Sequence, residues 1–220
     1  MRLIVRDVFT AEECAELRAR ARRLRFVDGR ATAGWHARLV KANEQAAADD
    51  GAAAALLAEV RARLSAHPLF VAATRPKTFA SLLLSRYRPG MGYGRHVDDA
   101  LMGGVRTDVS FTLFLSEPDS YEGGALVVED AEGESEIRLP AGFLYLYPAS
   151  TLHRVEPVRA GERLAVVGWV RSYVRDPAVR ALLFDLERAR RLVFEREGKG
   201  ETFDLLSRAL ADLLRRFAED

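Results

Sequence analysis

Residues 86–98 read Arg86-Tyr87-Arg88-Pro89-Gly90-Met91-Gly92-Tyr93-Gly94-Arg95-His96-Val97-Asp98. Pro89 and the three glycines that follow predict a turn that delivers His96, Val97 and Asp98. Where such a tripeptide is extended, the two-residue period of a strand puts the imidazole and the carboxylate on one face. Joined by one imidazole from elsewhere, the pair would hold three adjacent corners of a metal ion and leave the others open. A bare His-x-Asp is common on protein surfaces, so the rest of the chain has to supply the context.

The chain has four histidines, His36, His67, His96 and His153. His36 and His67 lie in the helical N-terminal part, His67 directly before Pro68, and read as capping or surface groups. His153 is the candidate partner. It follows the apolar run Leu144-Tyr145-Leu146-Tyr147 and a turn through Pro148, so a buried strand leads into a turn that presents an imidazole. Ten residues on, Arg163 opens the apolar run Leu164-Ala165-Val166-Val167-Gly168-Trp169-Val170. A guanidinium at the edge of a buried strand needs an anion and grips a carboxylate in a two-pronged, charge-assisted way. Taken alone, a salt bridge to Glu156 or Glu162 would meet that need. With His96, Asp98 and His153 in the same chain, Arg163 becomes a candidate anchor for a dicarboxylate co-substrate.

Working outward, the spacing predicts strands over 79–87, 109–115, 125–128, 136–139, 143–147 and 164–172, separated by Gly- and Pro-containing turns. Many short strands at this spacing suggest a sandwich or jelly roll. Before them, Leu3 to Phe9 reads as a strand. Thr10 and Glu13 form a capping box for a helix carrying Cys14, Leu17, Ala21 and Leu24. Residues 26–50 read as an ordered loop, and Asp49 or Asp50 caps a helix striped by Leu56, Leu57, Val60 and Leu64. After Asp176-Pro177 two more helices follow, divided at Gly198 and Gly200. The organisation expected is α+β: an N-terminal support region (1–78), a β core (79–175) and a C-terminal helical extension (176–220).

Composition excludes several partners. With 33 Lys plus Arg against 32 Asp plus Glu, the net charge of +1 gives no basis for nucleic-acid or membrane-surface binding. The single Cys14 cannot form an intrachain disulfide and fits a reducing compartment. The N-terminus lacks the apolar run of a signal peptide, and no stretch reaches membrane-spanning length. A cytoplasmic protein is expected. The apolar stripes of the last two helices permit capping of the core or pairing in a homodimer.

The motifs in order resemble those of the iron(II)- and 2-oxoglutarate-dependent dioxygenases, in the prolyl/lysyl-hydroxylase-like branch, and more closely the bacterial PKHD-type hydroxylases. The matching stretches are Val27-Asp28-Gly29-Arg30, Arg86 to Asp98, Arg106-Thr107-Asp108, Thr112 to Ser116, Tyr121-Glu122-Gly123-Gly124, Leu139 to Gly142, Tyr147 to Val155 and Val174-Arg175-Asp176. The resemblance implies a double-stranded β-helix, with Fe(II) held by His96, Asp98 and His153 and no catalytic group beyond the metal centre. It implies that Arg163 binds the distal carboxylate of 2-oxoglutarate and that Tyr87 donates its hydroxyl to the same molecule. Molecular oxygen is then the oxidant, ascorbate an expected reductant, and succinate and carbon dioxide the co-products of hydroxylation. Some relatives are associated with iron uptake.

Three features depart from the family pattern or lie beyond it. Asp99 stands where Asn is frequent; strand parity from His96 turns it to the opposite face. Arg171 stands where Gln is frequent and, with the loop around Trp35 and Asn43, is expected to influence substrate choice. The helix after Gly200 is longer than the family core. The alternative reading is a non-catalytic jelly-roll module that senses iron or 2-oxoglutarate. The substrate is not named by any residue pattern.

Overall fold

The structure, a computed structural model, describes residues 1–219; the last residue of the C-terminal extension, 220, lies outside them. Two antiparallel sheets face each other. The larger has seven strands in the order Leu3–Val5, Leu144–Pro148, Val109–Phe114, Arg163–Ser172, Pro76–Tyr87, Glu44–Ala46 and Phe26–Asp28. The smaller has five: Gly133–Ile137, Leu126–Asp130, His153–Val155, Gly92–His96 and Lys41–Ala42. This is the α+β, double-stranded β-helix arrangement expected, with helices before and after the core.

The central strands of the large sheet are covered on both sides, and the two-residue period sorts their side chains. Leu82 and Leu84, with Phe111, Leu113, Leu164 and Val166, face the N-terminal helices and enter one apolar core with Leu17, Leu56 and Phe70. The opposite face carries Leu83, Ser85, Tyr87, Ser110, Thr112 and Arg163 towards the space between the sheets. Three helices build the apolar cover: α1 (Ala11–Ala21), α2 (Gly51–Ala66) and α3 (Pro68–Thr74). The Thr10–Glu13 capping box starts α1, Asp50 caps α2 through the Ala52 and Ala53 amides, and His67 caps α3 through its Nδ1. Capping is thus the role His67 plays. Helices α4 (Pro177–Glu197) and α5 (Glu201–Phe217) pack on one another around Leu183 and Leu210, and α4 also lies against α3.

Three expectations change. Residues 26–50 are not simply a loop: Phe26–Asp28 and Glu44–Ala46 extend the large sheet, and Lys41–Ala42 the small one. These edge pairings are two or three residues long, too short to leave an apolar period. The first strand stops at Val5 instead of continuing to Phe9, because Asp7 takes a positive φ of 51°. Gly92 and Gly94 lie in a strand, not in the turn. A Cβ on Gly94 would stand 2.7 Å from the Cβ of Val40, and the Gly94 amide donates to the Val40 carbonyl at 2.8 Å. Glycine is required there by the close approach of the neighbouring chain.

Candidate metal centre and co-substrate pocket

The metal strand Gly92–His96 pairs with His153–Val155, and the register sets His96 directly opposite His153. Their rings lie 4.3 Å apart between centroids. The strand ends at His96, so Asp98 arrives from the irregular residues that follow and not by strand parity. Even so, Asp98 Oδ1 lies 3.9 Å from His96 Nε2 and 3.8 Å from His153 Nε2. One ligand atom from each residue falls within 4.8 Å of the others, the only such His/Cys/Asp/Glu cluster among the described residues.

Each side chain is fixed by a second bond. His96 Nδ1 lies 2.8 Å from the Gly94 carbonyl, and His153 Nδ1 lies 2.9 Å from the Thr151 carbonyl. A carbonyl only accepts, so both Nδ1 atoms carry the proton and both Nε2 lone pairs face the shared space. Ser110 Oγ donates to Asp98 Oδ2 at 2.6 Å, leaving Oδ1 for the centre. Burial, followed by repulsion from His153, pushes the His96 imidazole down to about 3, which keeps it neutral. Two imidazoles with Nε2 turned inward and one carboxylate on one side of an open cavity fit a ferrous-iron site.

Behind the trio is a cavity of about 500 Å³, within the range of small-molecule sites. Arg163 forms part of its wall and is only 1% exposed. Its guanidinium lies over the rings of Tyr87 and Phe114, 5.2 and 5.4 Å from their centroids. All three of its nitrogens lack a hydrogen-bond partner. The ordinary salt bridge does not form: Glu162 pairs with Arg22 and Arg88, and Glu156 with Arg154. Burying an unpaired guanidinium costs several kcal/mol by order of magnitude, and a carboxylate in the cavity would satisfy it. Tyr87, opposite Arg163 in the strand register, is fully buried, and burial raises its hydroxyl above the ordinary tyrosine range. These donors fit a dicarboxylate such as 2-oxoglutarate.

The remaining sequence candidates separate. Asp99 is exposed at the cavity mouth, where its carboxylate borders Gly34, and it does not join the trio. Arg171 and Trp35 do not line the cavity; Trp35 is 77% exposed. Asn43 does line it, as do Lys41, Gln45, Tyr93 and Tyr147, to which the sequence reading gave no role. The available signal was the alternation Lys41, Asn43, Gln45, an inward polar face hidden inside a polar run.

A two-histidine, one-carboxylate trio between the sheets of a double-stranded β-helix defines a non-haem iron oxygenase as the class. The family model of the 2OG-Fe(II) oxygenase superfamily matches residues 82–171. A PKHD-type hydroxylase of Synechococcus elongatus is 60% identical over 198 residues, covering 88% of this chain and 89% of its own. A PKHD-type hydroxylase of Acaryochloris marina is 52% identical and covers 100% of both chains. The crystal structure of a Pseudomonas putida prolyl-4-hydroxylase shares the fold, with a TM-score of 0.53 at 23% identity over 78% of this chain and 92% of that one. The chain belongs to the PKHD-type hydroxylases of the 2OG-Fe(II) oxygenase superfamily and is a dioxygenase of that kind. No described helix is long and apolar enough to cross a membrane.

Proposed function

We propose that this hydroxylase holds Fe(II) through His96, Asp98 and His153 and anchors the distal carboxylate of 2-oxoglutarate on Arg163, with Tyr87 donating to the same molecule. The observation that carries the reading is the fully buried Arg163, whose three nitrogens are unpartnered at the wall of the cavity that the trio shares. Ferrous iron bound there supplies oxygen activation coupled to decarboxylation of 2-oxoglutarate to succinate and carbon dioxide. The protein's own part is positional. The carbonyls of Gly94 and Thr151 fix the imidazole tautomers, and Ser110 turns Asp98. The link to iron uptake suggested by the family resemblance belongs to this proposal; a growth defect of the deletion strain confined to iron-poor medium would support it.

The direct test is anaerobic titration with Fe(II) and 2-oxoglutarate, followed by succinate release on admitting air. One iron and one 2-oxoglutarate per chain are expected, with succinate formation lost in His96→Ala. Undiminished turnover in that variant would remove the assigned centre.

A further inference from the structure

The wall opposite Arg163 carries a second buried cation. Lys41 belongs to the segment 41–46, where Lys41, Asn43 and Gln45 are buried and line the cavity while Ala42 is exposed. Lys41 is 7% exposed. Its ammonium has three donors but donates one hydrogen bond, to Thr32 Oγ1 at 3.1 Å. No carboxylate of the described residues lies within salt-bridge distance of it. The charges it feels are more distant: Asp98 first, then Asp28. Thr32 is committed elsewhere, to the Gly29 carbonyl and to Gln45 Oε1.

The position of this cation is specific. Lys41 Nζ lies 5.1 Å from the centroid of the Tyr93 ring, and the other partner of that ring is His96, stacked at 3.6 Å. The ammonium and the metal-side imidazole are therefore one aromatic ring apart. Two residues along, Asn43 is 4% exposed, and its Nδ2 and Oδ1 make no hydrogen bond of normal geometry. It is held by contact with Gly29, where a Cβ would come within 2.0 Å of Oδ1, and by the Gly29 amide, which donates to its carbonyl. The wall thus offers one buried ammonium with no carboxylate partner and, beside it, one buried amide whose nearest polar neighbour is the Tyr87 hydroxyl. Such groups are costly to bury unless a ligand completes them.

We infer that Lys41 receives a carboxylate of the substrate, so that the hydroxylase acts on an acid at a C–H bond a few carbons from that group. The inference rests on the oxygenase reading above. It separates the two cations by role: Arg163 in the large sheet serves the co-substrate, and Lys41 in the small sheet serves the molecule that is hydroxylated. A single ammonium flanked by a hydroxyl and an amide matches one negative charge, hence a carboxylate rather than a phosphate dianion. Asp99, at the cavity mouth, is solvated, and inside the cavity Asp98 alone stands against the two cations Lys41 and Arg163.

The test uses the whole chain loaded with Co(II) and 2-oxoglutarate, whose visible absorption reports ligands arriving beside the metal. A series of monocarboxylic acids of three to ten carbons is titrated alongside the corresponding uncharged amides, and succinate release is measured on the Fe(II) form. At least one acid is expected to give a saturable spectral change and to stimulate succinate release, with its amide at least ten-fold weaker. Lys41→Met should weaken that acid ten-fold or more, and Lys41→Arg should recover most of the affinity. Equal response to acid and amide, no response to any acid, or undiminished acid affinity in Lys41→Met overturns the inference. The acid–amide contrast is made on the wild-type chain and depends on no variant folding. Failure of the wild type to bind 2-oxoglutarate would instead overturn the oxygenase assignment, and this inference with it.

Discussion

The two faces of the large sheet come from the same strands and differ in kind. On the helix side, Leu82, Leu84, Leu113, Leu164 and Val166 meet other apolar side chains, with nothing left to satisfy. On the cavity side, one residue along each strand, stand Ser85, Tyr87, Thr112 and Arg163. The first face carries stability. The second carries buried polar groups, and one of them, the unpartnered Arg163 guanidinium, opposes folding until an anion meets it. The two-residue period lets one set of strands do both, because neighbouring residues experience different environments.

The largest effect that would sharpen this contrast is expected at the metal centre. Asp98→Ala should abolish iron binding and succinate formation while leaving thermal unfolding nearly unchanged, as checked by metal analysis and calorimetry. A collapse of the fold would show that the cavity side also carries stability. On the opposite face, Leu84→Ala removes a fully buried side chain. It should cost roughly 2–5 kcal/mol in denaturant unfolding, with the ferrous site still able to load at low temperature.

Arg163→Met should act in two directions. Affinity for 2-oxoglutarate, measured anaerobically by calorimetry, should fall roughly 10- to 100-fold, the worth of charge-assisted hydrogen bonds at about 1.5–3 kcal/mol. The ligand-free variant should melt higher than the wild type, because an unpaired buried charge is gone. A lower melting temperature would mean that the guanidinium is already satisfied.

The smallest effect concerns Lys41, whose ammonium burial pushes down to about 8. Between pH 8 and about 10.4, the free lysine value, the unfolded chain binds this proton and the folded chain does not. Folding stability should therefore rise with pH across that window relative to Lys41→Met, and the difference should be flat below it. Urea unfolding of both chains from pH 7 to 10 measures this. A difference that falls with pH would show that Lys41 has an anionic partner within the protein.

Features set by local chemistry were readable in advance. The Thr10–Glu13 box, a cap at Asp49 or Asp50 and the apolar runs of the central strands follow from neighbouring residues, whereas the short helix Pro68–Thr74 that His67 caps does not. The trio was visible because His-x-Asp and a downstream histidine keep their order, and Arg163 because a lone guanidinium opens an apolar run. Other features depended on distant partners. Gly92 and Gly94 read as turn residues, since the sequence does not show that Val40 and Pro157 press against them. Asp98 reaches the trio although the strand stops at His96, along irregular backbone and not by strand parity. Lys41 and Gln45 were obscured because their strands are only two and three residues long with a polar inward face, and Asn43 lies between the two strands.

Gly94 links these observations. It lets residues 40–42 lie flush on the metal strand, with Val40 against its backbone, Lys41 opposite Tyr93 and Ala42 opposite Gly92. The strand that carries Lys41 and the strand that ends at His96 are hydrogen-bonded neighbours in one sheet. Widening the pocket by moving that wall would drag the imidazole with it. New substrates are therefore accommodated most cheaply by exchanging side chains on the wall, not by reshaping its backbone.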